Sequence, residues 1–219
     1  MFAASSLTDA FGELAEAFER DHAGVTVEFN FAGSSVLGHQ LQEGAPAEVF
    51  ASADMNNMQK VVDSGDITAP PEIFTRNRLE IAVPSGNPGS VGGLDDFARA
   101  ELLIGLCAEE VPCGQFGREA LASAGVTAAI DTNEPDVRAV LTKIEQGELD
   151  AGIVYRTDVQ SAGDAVEGIE IPDDQNVVAD YPVAPLADAP DAELAADFVE
   201  FVRSDEAQVI LAAYGFLAT

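Results

Sequence analysis

Apolar residues recur along this chain in two rhythms. Leu7, Phe11, Leu14, Ala15 and Phe18 fall three and four apart, the spacing of one helix face. Ser5 or Ser6 can cap that helix, and Gly24 closes it. Residues 25–31, VTVEFNF, alternate apolar and polar and predict a strand. Small residues at 32–35 make a turn, 36–43 predict a second helix, 48–53 a short strand and 56–64 a third helix. The opening MFAA reads as the end of a strand, so the first third is β-α-β-α-β, the order of a sheet with crossover helices. Residues 78–84, RLEIAVP, form a further strand, followed by the Gly/Pro-rich run SGNPGSVGG. A second α/β set follows: strand 102–106, helices 114–124 and 136–146, strand 151–155 and a strand-like stretch within 176–186. Residues 191–214 read as helical, with Leu194, Phe198, Phe201 and Val202 on one face. No internal repeat interrupts this order.

Composition narrows the partners. The 219 residues carry 10 Lys+Arg against 39 Asp+Glu, a formal charge of −29. A chain without a basic face does not hold nucleic acid phosphates, and it does not settle on an anionic bilayer. The apolar share of 47% supports a packed core, while no run approaches the ~18 apolar residues of a membrane span. The acidity reads as a solvated surface; the carboxylates are scattered and no D-x-D-x-D-G loop favours calcium. The only cysteines, Cys107 and Cys113, lack a second pair, and His22 and His39 lie far upstream, so no zinc pattern forms. A local disulfide in an exported protein and two buried thiols both fit the pair. No basic segment followed by an apolar one opens the sequence, so no export signal is read in it.

Small and hydroxyl residues cluster where strands give way to helices. Ser6 follows one strand, Ser34 the next, and Cys113-Gly114 opens a third helix. Each position has free backbone N–H groups and the positive end of a helix dipole, which bind anions without Lys or Arg. Ser before a helix is also the ordinary N-cap. Tyr155, after Gly-Ile-Val at a strand end, is read either as a core residue with its hydroxyl at the rim or as a ligand donor. Arg138 and Arg156 are read as partners of surface carboxylates rather than as counter-ions. The adjacent pairs Glu109-Glu110 and Asp95-Asp96 point apart and make no acid/base dyad.

Taken in order and spacing, FAASSLT (2–8), FAGSSVL (31–37), GAPAEVFASAD (44–54), EVPCGQFGREAL (110–121), EPDVRAVLTKIEQGELDAGIVYRTD (134–158), YPVA (181–184) and YGF (214–216) resemble the periplasmic molybdate-binding proteins of bacterial ABC transporters. The resemblance spans essentially the whole chain. It implies an α/β chain of the type II periplasmic-binding-protein fold, with lobe I at 1–80 plus 186–219, lobe II at 81–185 and a ligand cleft between them. It implies capture of molybdate, with tungstate alongside, for an ABC permease, by a monomeric protein that is no enzyme and needs no cofactor. The family's donors fall on the Ser6 and Ser34 hydroxyls, the Cys113 and Val137 N–H groups and the Tyr155 phenol, with no direct metal-cation ligand. Family members commonly carry Ala where Cys113 stands, a change a main-chain donor tolerates. A Cys107–Cys113 bridge would pre-organise that donor. The expected place of work is periplasmic or otherwise extracytoplasmic, free or membrane-anchored. Rival readings are a binder of another tetrahedral oxyanion, sulfate or phosphate, and a ligand-sensing domain outside transport.

Overall fold

Strand β1 (Phe2–Ala4) is buried along its whole length, flanked on both sides by parallel neighbours. In this computed structural model, which describes residues 1–219, the chain forms two compact units: Met1–Arg76 with Asp180–Thr219, and Asn77–Ala179. The crossings at 76/77 and 179/180 lie a few residues before the 80/81 and 185/186 read from the sequence.

In the first unit, β2 (Asn30–Ala32) and β3 (Val49–Ala51) run parallel to β1, with Ala4 opposite Ala32 and Ala3 opposite Ala51. The three strands lead into a 3₁₀ turn (Ser5–Leu7) with α1 (Thr8–Asp21), α2 (Ser34–Gln42) and α3 (Met55–Ser64). One apolar cluster joins Phe2 and Phe50 to Leu37, Leu41, Met58 and Val61 of α2 and α3. A second, aromatic, centres on Phe11 and Phe18 of α1. Phe74 lies 5.7 Å from Phe11 and Phe198 lies 5.1 Å from Phe18, centroid to centroid. Such tilted and edge-on pairs suit the ring quadrupoles.

The second unit is built on β4 (Glu72–Pro84), which begins in the first unit. Further along come β5 (Ile104–Cys107), β6 (Thr132–Glu134), β7 (Ala151–Tyr155) and β8 (Val166–Glu170). Strand β4 pairs antiparallel with β7 and β8, and β5 runs parallel to both β6 and β7. Helices α4 (Pro112–Ser123), α5 (Val137–Glu145) and α6 (Arg156–Ala162) connect them. Gly152 admits α5 to the sheet: a Cβ there would stand 2.7 Å from Val140 Cγ1 and 2.9 Å from the Gly105 carbonyl oxygen. Strand β9 (Val178–Pro185) then returns to the first unit and pairs antiparallel with β3. Helices α7 (Ala192–Phe201) and α8 (Asp205–Ala213) end the chain there. No helix is long and apolar enough to cross a membrane.

The structure differs from the sequence pattern in several places, and β6, α6 and β8 stand where that pattern named no element. The alternating run 25–31 keeps its alternate burial but forms a ladder only from Asn30, which faces Phe2. The Val27 N–H goes instead to the Glu19 carboxylate at 2.7 Å. The helical stretch 191–214 divides into two helices, because Ser204 caps a fresh start by accepting the Ala207 N–H at 3.2 Å. Neither Ser5 nor Ser6 caps α1; both lie in the 3₁₀ turn before it, and the cap residue Leu7 offers no side-chain acceptor.

Candidate functional site

Both units present their polar positions at the carboxyl ends of adjacent parallel strands, the edge where open α/β sheets receive ligands. In the first unit these strands are β2, β1 and β3. Ser34 follows β2, Ser6 follows β1, and Ser52-Ala53-Asp54 follow β3. In the second they are β6, β5 and β7. Val137 opens α5 after β6, Cys113 lies in the first turn of α4 after β5, and Tyr155 ends β7. Ser6, Ser34, Cys113, Val137 and Tyr155 are all buried.

Ser34 is not an N-cap. Helix α2 starts on it, the cap position is Gly33, and no side chain closes the helix end. Its Oγ accepts the Ala53 N–H at 3.0 Å. A hydroxyl has one proton and two lone pairs, so this contact leaves the Ser34 proton for another acceptor. Ser6 Oγ lies 2.8 Å from the Tyr181 hydroxyl, both groups buried. The loop that supplies Ala53 is held by Asp54, which caps α3 by accepting the Asn57 N–H at 2.8 Å and the Asn57 amide at 2.9 Å. Burial pushes the Asp54 pKa above the ordinary aspartate value. Hydrogen bonds from Asn57 and Ser52, and the charge of Lys60, oppose that rise without cancelling it.

In the second unit helix α4 also lacks a side-chain cap. Pro112 at its start has no N–H, so the Cys113 N–H is the first donor of that helix. Cys113 is bonded to Cys107, S–S 2.06 Å, which ties the helix start to the end of β5. The Arg118 guanidinium donates to the Cys107 and Gly114 carbonyls at 2.8 and 2.9 Å, and a Cβ on Gly114 would collide with the Ala108 carbonyl oxygen. The turn is therefore closed from three sides. At α5, Asp136 accepts the Ala139 N–H at 3.0 Å, so the cap uses the third helical N–H and not that of Val137.

Arg138 corrects the surface reading. Its Nε lies 3.1 Å from Oδ1 of Asp158, whose side chain is 0% exposed. Oδ2 of the same carboxylate accepts the Tyr155 N–H at 3.0 Å. Arg138 also donates to Ser161 Oγ at 3.0 Å, and Ser161 Oγ donates to the Asp158 carbonyl at 2.9 Å. The pair thus ties the start of α5 to the start of α6. Arg156 is exposed, and its charge acts on Glu80. Sequence reasoning assigned no role to Tyr181, Asp158, Ala53 or Asp54. Each nonetheless lies within a quoted motif: YPVA, the end of GIVYRTD, and FASAD.

A pair of α/β units, each ending its parallel strands in serines, a phenol or open helix starts, defines a binder of small polar solutes with the type II periplasmic-binding-protein fold. Residues 1–217 match the family model described as bacterial extracellular solute-binding protein. The chain is 37% identical over 216 residues to the molybdate-binding protein ModA of Mycobacterium tuberculosis, covering 99% of this chain and 83% of that protein. It is 33% identical over 229 residues to ModA of Escherichia coli, covering 99% and 87%. The periplasmic molybdate-binding protein of Azotobacter vinelandii superposes with a TM-score of 0.88 at 19% identity, covering 100% of this chain and 98% of that one. The chain belongs to the bacterial extracellular solute-binding proteins.

Proposed function

We propose that this protein captures molybdate, and tungstate with it, outside the cytoplasm and hands it to an ABC permease, acting as a monomer, without a cofactor and without chemistry on the ligand. The observation that carries the reading is the 37% identity, sustained over 99% of the chain, to a protein named for molybdate binding. The local chemistry supports it. Molybdate is a tetrahedral dianion whose four oxygens only accept hydrogen bonds. The proposed donors are the Ser6 and Ser34 hydroxyls, the Cys113 and Val137 N–H groups and the Tyr155 phenol. All are neutral, so no buried cation has to be desolvated, and the starts of α2, α4 and α5 supply positive potential from the backbone. Sulfate is smaller than molybdate and is expected to bind more weakly.

Calorimetric titration with molybdate, tungstate, sulfate and phosphate tests the reading. Molybdate and tungstate bind tightly, and the other two bind weakly. A ligand at ~100 times its dissociation constant adds ~2.7 kcal/mol to stability, which a melting curve reads directly. A midpoint unmoved by millimolar molybdate rules the reading out.

A further inference from the structure

The two serines of the first unit share an arrangement. Ser34 Oγ holds a buried donor, the Ala53 N–H, at 3.0 Å. Ser6 Oγ has a buried hydroxyl, that of Tyr181, at 2.8 Å. At Ser34 the polarity is fixed by chemistry, because an amide N–H can only donate. At Ser6 the polarity is open, because either oxygen can donate. An acceptor-only oxyanion beside Ser6 settles it: Ser6 must give its proton to the anion, and Tyr181 then donates to Ser6.

The geometry points to Tyr181 as a positioning residue for the oxyanion site, a role that rests on the molybdate reading of Ser6. Tyr181 donates to Ser6 Oγ as the Ala53 N–H donates to Ser34 Oγ, so that both serines face the ligand as donors. Its surroundings suit the task. The side chain is fully buried. Its ring stands nearly edge-on between Phe74 and Phe216, with centroids 6.5 and 5.7 Å away. The hydroxyl is therefore delivered from a ring that packing holds, and little freedom remains to be lost when the ligand binds. A donor–donor chain also polarises: a phenol giving its proton to a serine makes that serine the stronger donor. Tyr181 lies in β9 just after the chain re-enters the first unit at Asp180.

A double-mutant cycle decides the matter, with molybdate titrated into the wild-type chain, Tyr181→Phe, Ser6→Ala and the double variant. Tyr214→Phe serves as the control, because that hydroxyl meets the exposed Glu13 carboxylate at 2.9 Å in the same unit. Tyr181→Phe weakens molybdate binding about tenfold, the scale of one hydrogen bond in a charged network, while Tyr214→Phe leaves it unchanged. The double variant binds no more weakly than Ser6→Ala alone, because without the serine there is nothing for Tyr181 to orient. The ligand-free melting temperature of each variant separates lost packing from lost orientation. Losses that multiply in the double variant, or a silent Tyr181→Phe in a chain whose Ser6→Ala variant is impaired, overturn the assignment alone. A wild-type chain that binds none of the oxyanions overturns the molybdate reading and the role of Tyr181 with it.

Discussion

At the scale of single residues, a buried hydroxyl is informative through what already occupies its lone pairs. Ser34 accepts from Ala53, which leaves its proton for another acceptor. Ser34→Ala is expected to cost roughly 1.5–3 kcal/mol of molybdate affinity, as is Tyr155→Phe, the range for hydrogen bonds to a charged group. Calorimetry reads both, and a silent Ser34→Ala removes that hydroxyl from the ligand set. Asp54 carries a prediction about pH. Burial holds its folded pKa above the 3.8 of an ordinary aspartate. Between those two values the native state binds more protons than the unfolded chain, so this residue's contribution to stability rises as pH falls through that window. Asp54→Ser keeps a cap for the Asn57 N–H and removes the titration. Urea midpoints from pH 7 to 4 should show the wild type gaining on the variant as pH drops. A difference that stays constant with pH assigns the titration elsewhere.

At the scale of elements, the Arg138–Asp158 pair joins the starts of two helices. The partners differ in exposure, 26% for the Arg138 side chain and 0% for Asp158. Removing the arginine leaves a carboxylate in the interior with its charge uncompensated. Arg138→Ala is expected to lose about 3–5 kcal/mol of folding stability, the scale for breaking a buried pair from one side. Arg138→Met with Asp158→Asn recovers much of that loss, because no charge is then stranded. Denaturant unfolding of the three chains checks the order, and a stable Arg138→Ala assigns the buried charge another neighbour. The helices also show what the pattern along the chain left hidden. Helix α6 follows β7 without a connecting loop, so its short run RTDVQSA gave no separate period to read. The split between α7 and α8 was signalled by Ser204 with Asp205 and Glu206 behind it, a capping residue and an acidic first turn.

At the scale of the whole molecule, charge is the dominant property. A chain at −29 repels a dianion before any donor touches it. Association with molybdate should therefore be slow at low salt and quicken as screening shortens to ~8–10 Å near physiological ionic strength. Dissociation should respond little, because the proposed donors are all neutral. Stopped-flow mixing across a salt series measures both. An association rate that falls with salt points to a local cationic entrance that outweighs the net charge.

The sequence by itself determined most of the order of strands and helices, though not β6, α6 or β8, and the place of Ser6, Ser34, Cys113 and Tyr155 where strands give way to helices. Both follow from local periodicity and from the short-range preference of small and hydroxyl residues for helix starts. It also carried the family, because motif order along 217 residues is a linear property. Tertiary structure alone decided which atoms those residues meet. The 25–31 run alternates as a strand should, yet its ladder begins only where β1 offers a partner, at Phe2 opposite Asn30. Ser6 and Tyr181 lie 175 positions apart, and Arg138 reaches Asp158 across a helix and a strand. No periodicity encodes such pairs. They form because burial leaves a polar group no alternative to the partner that the packed core brings beside it.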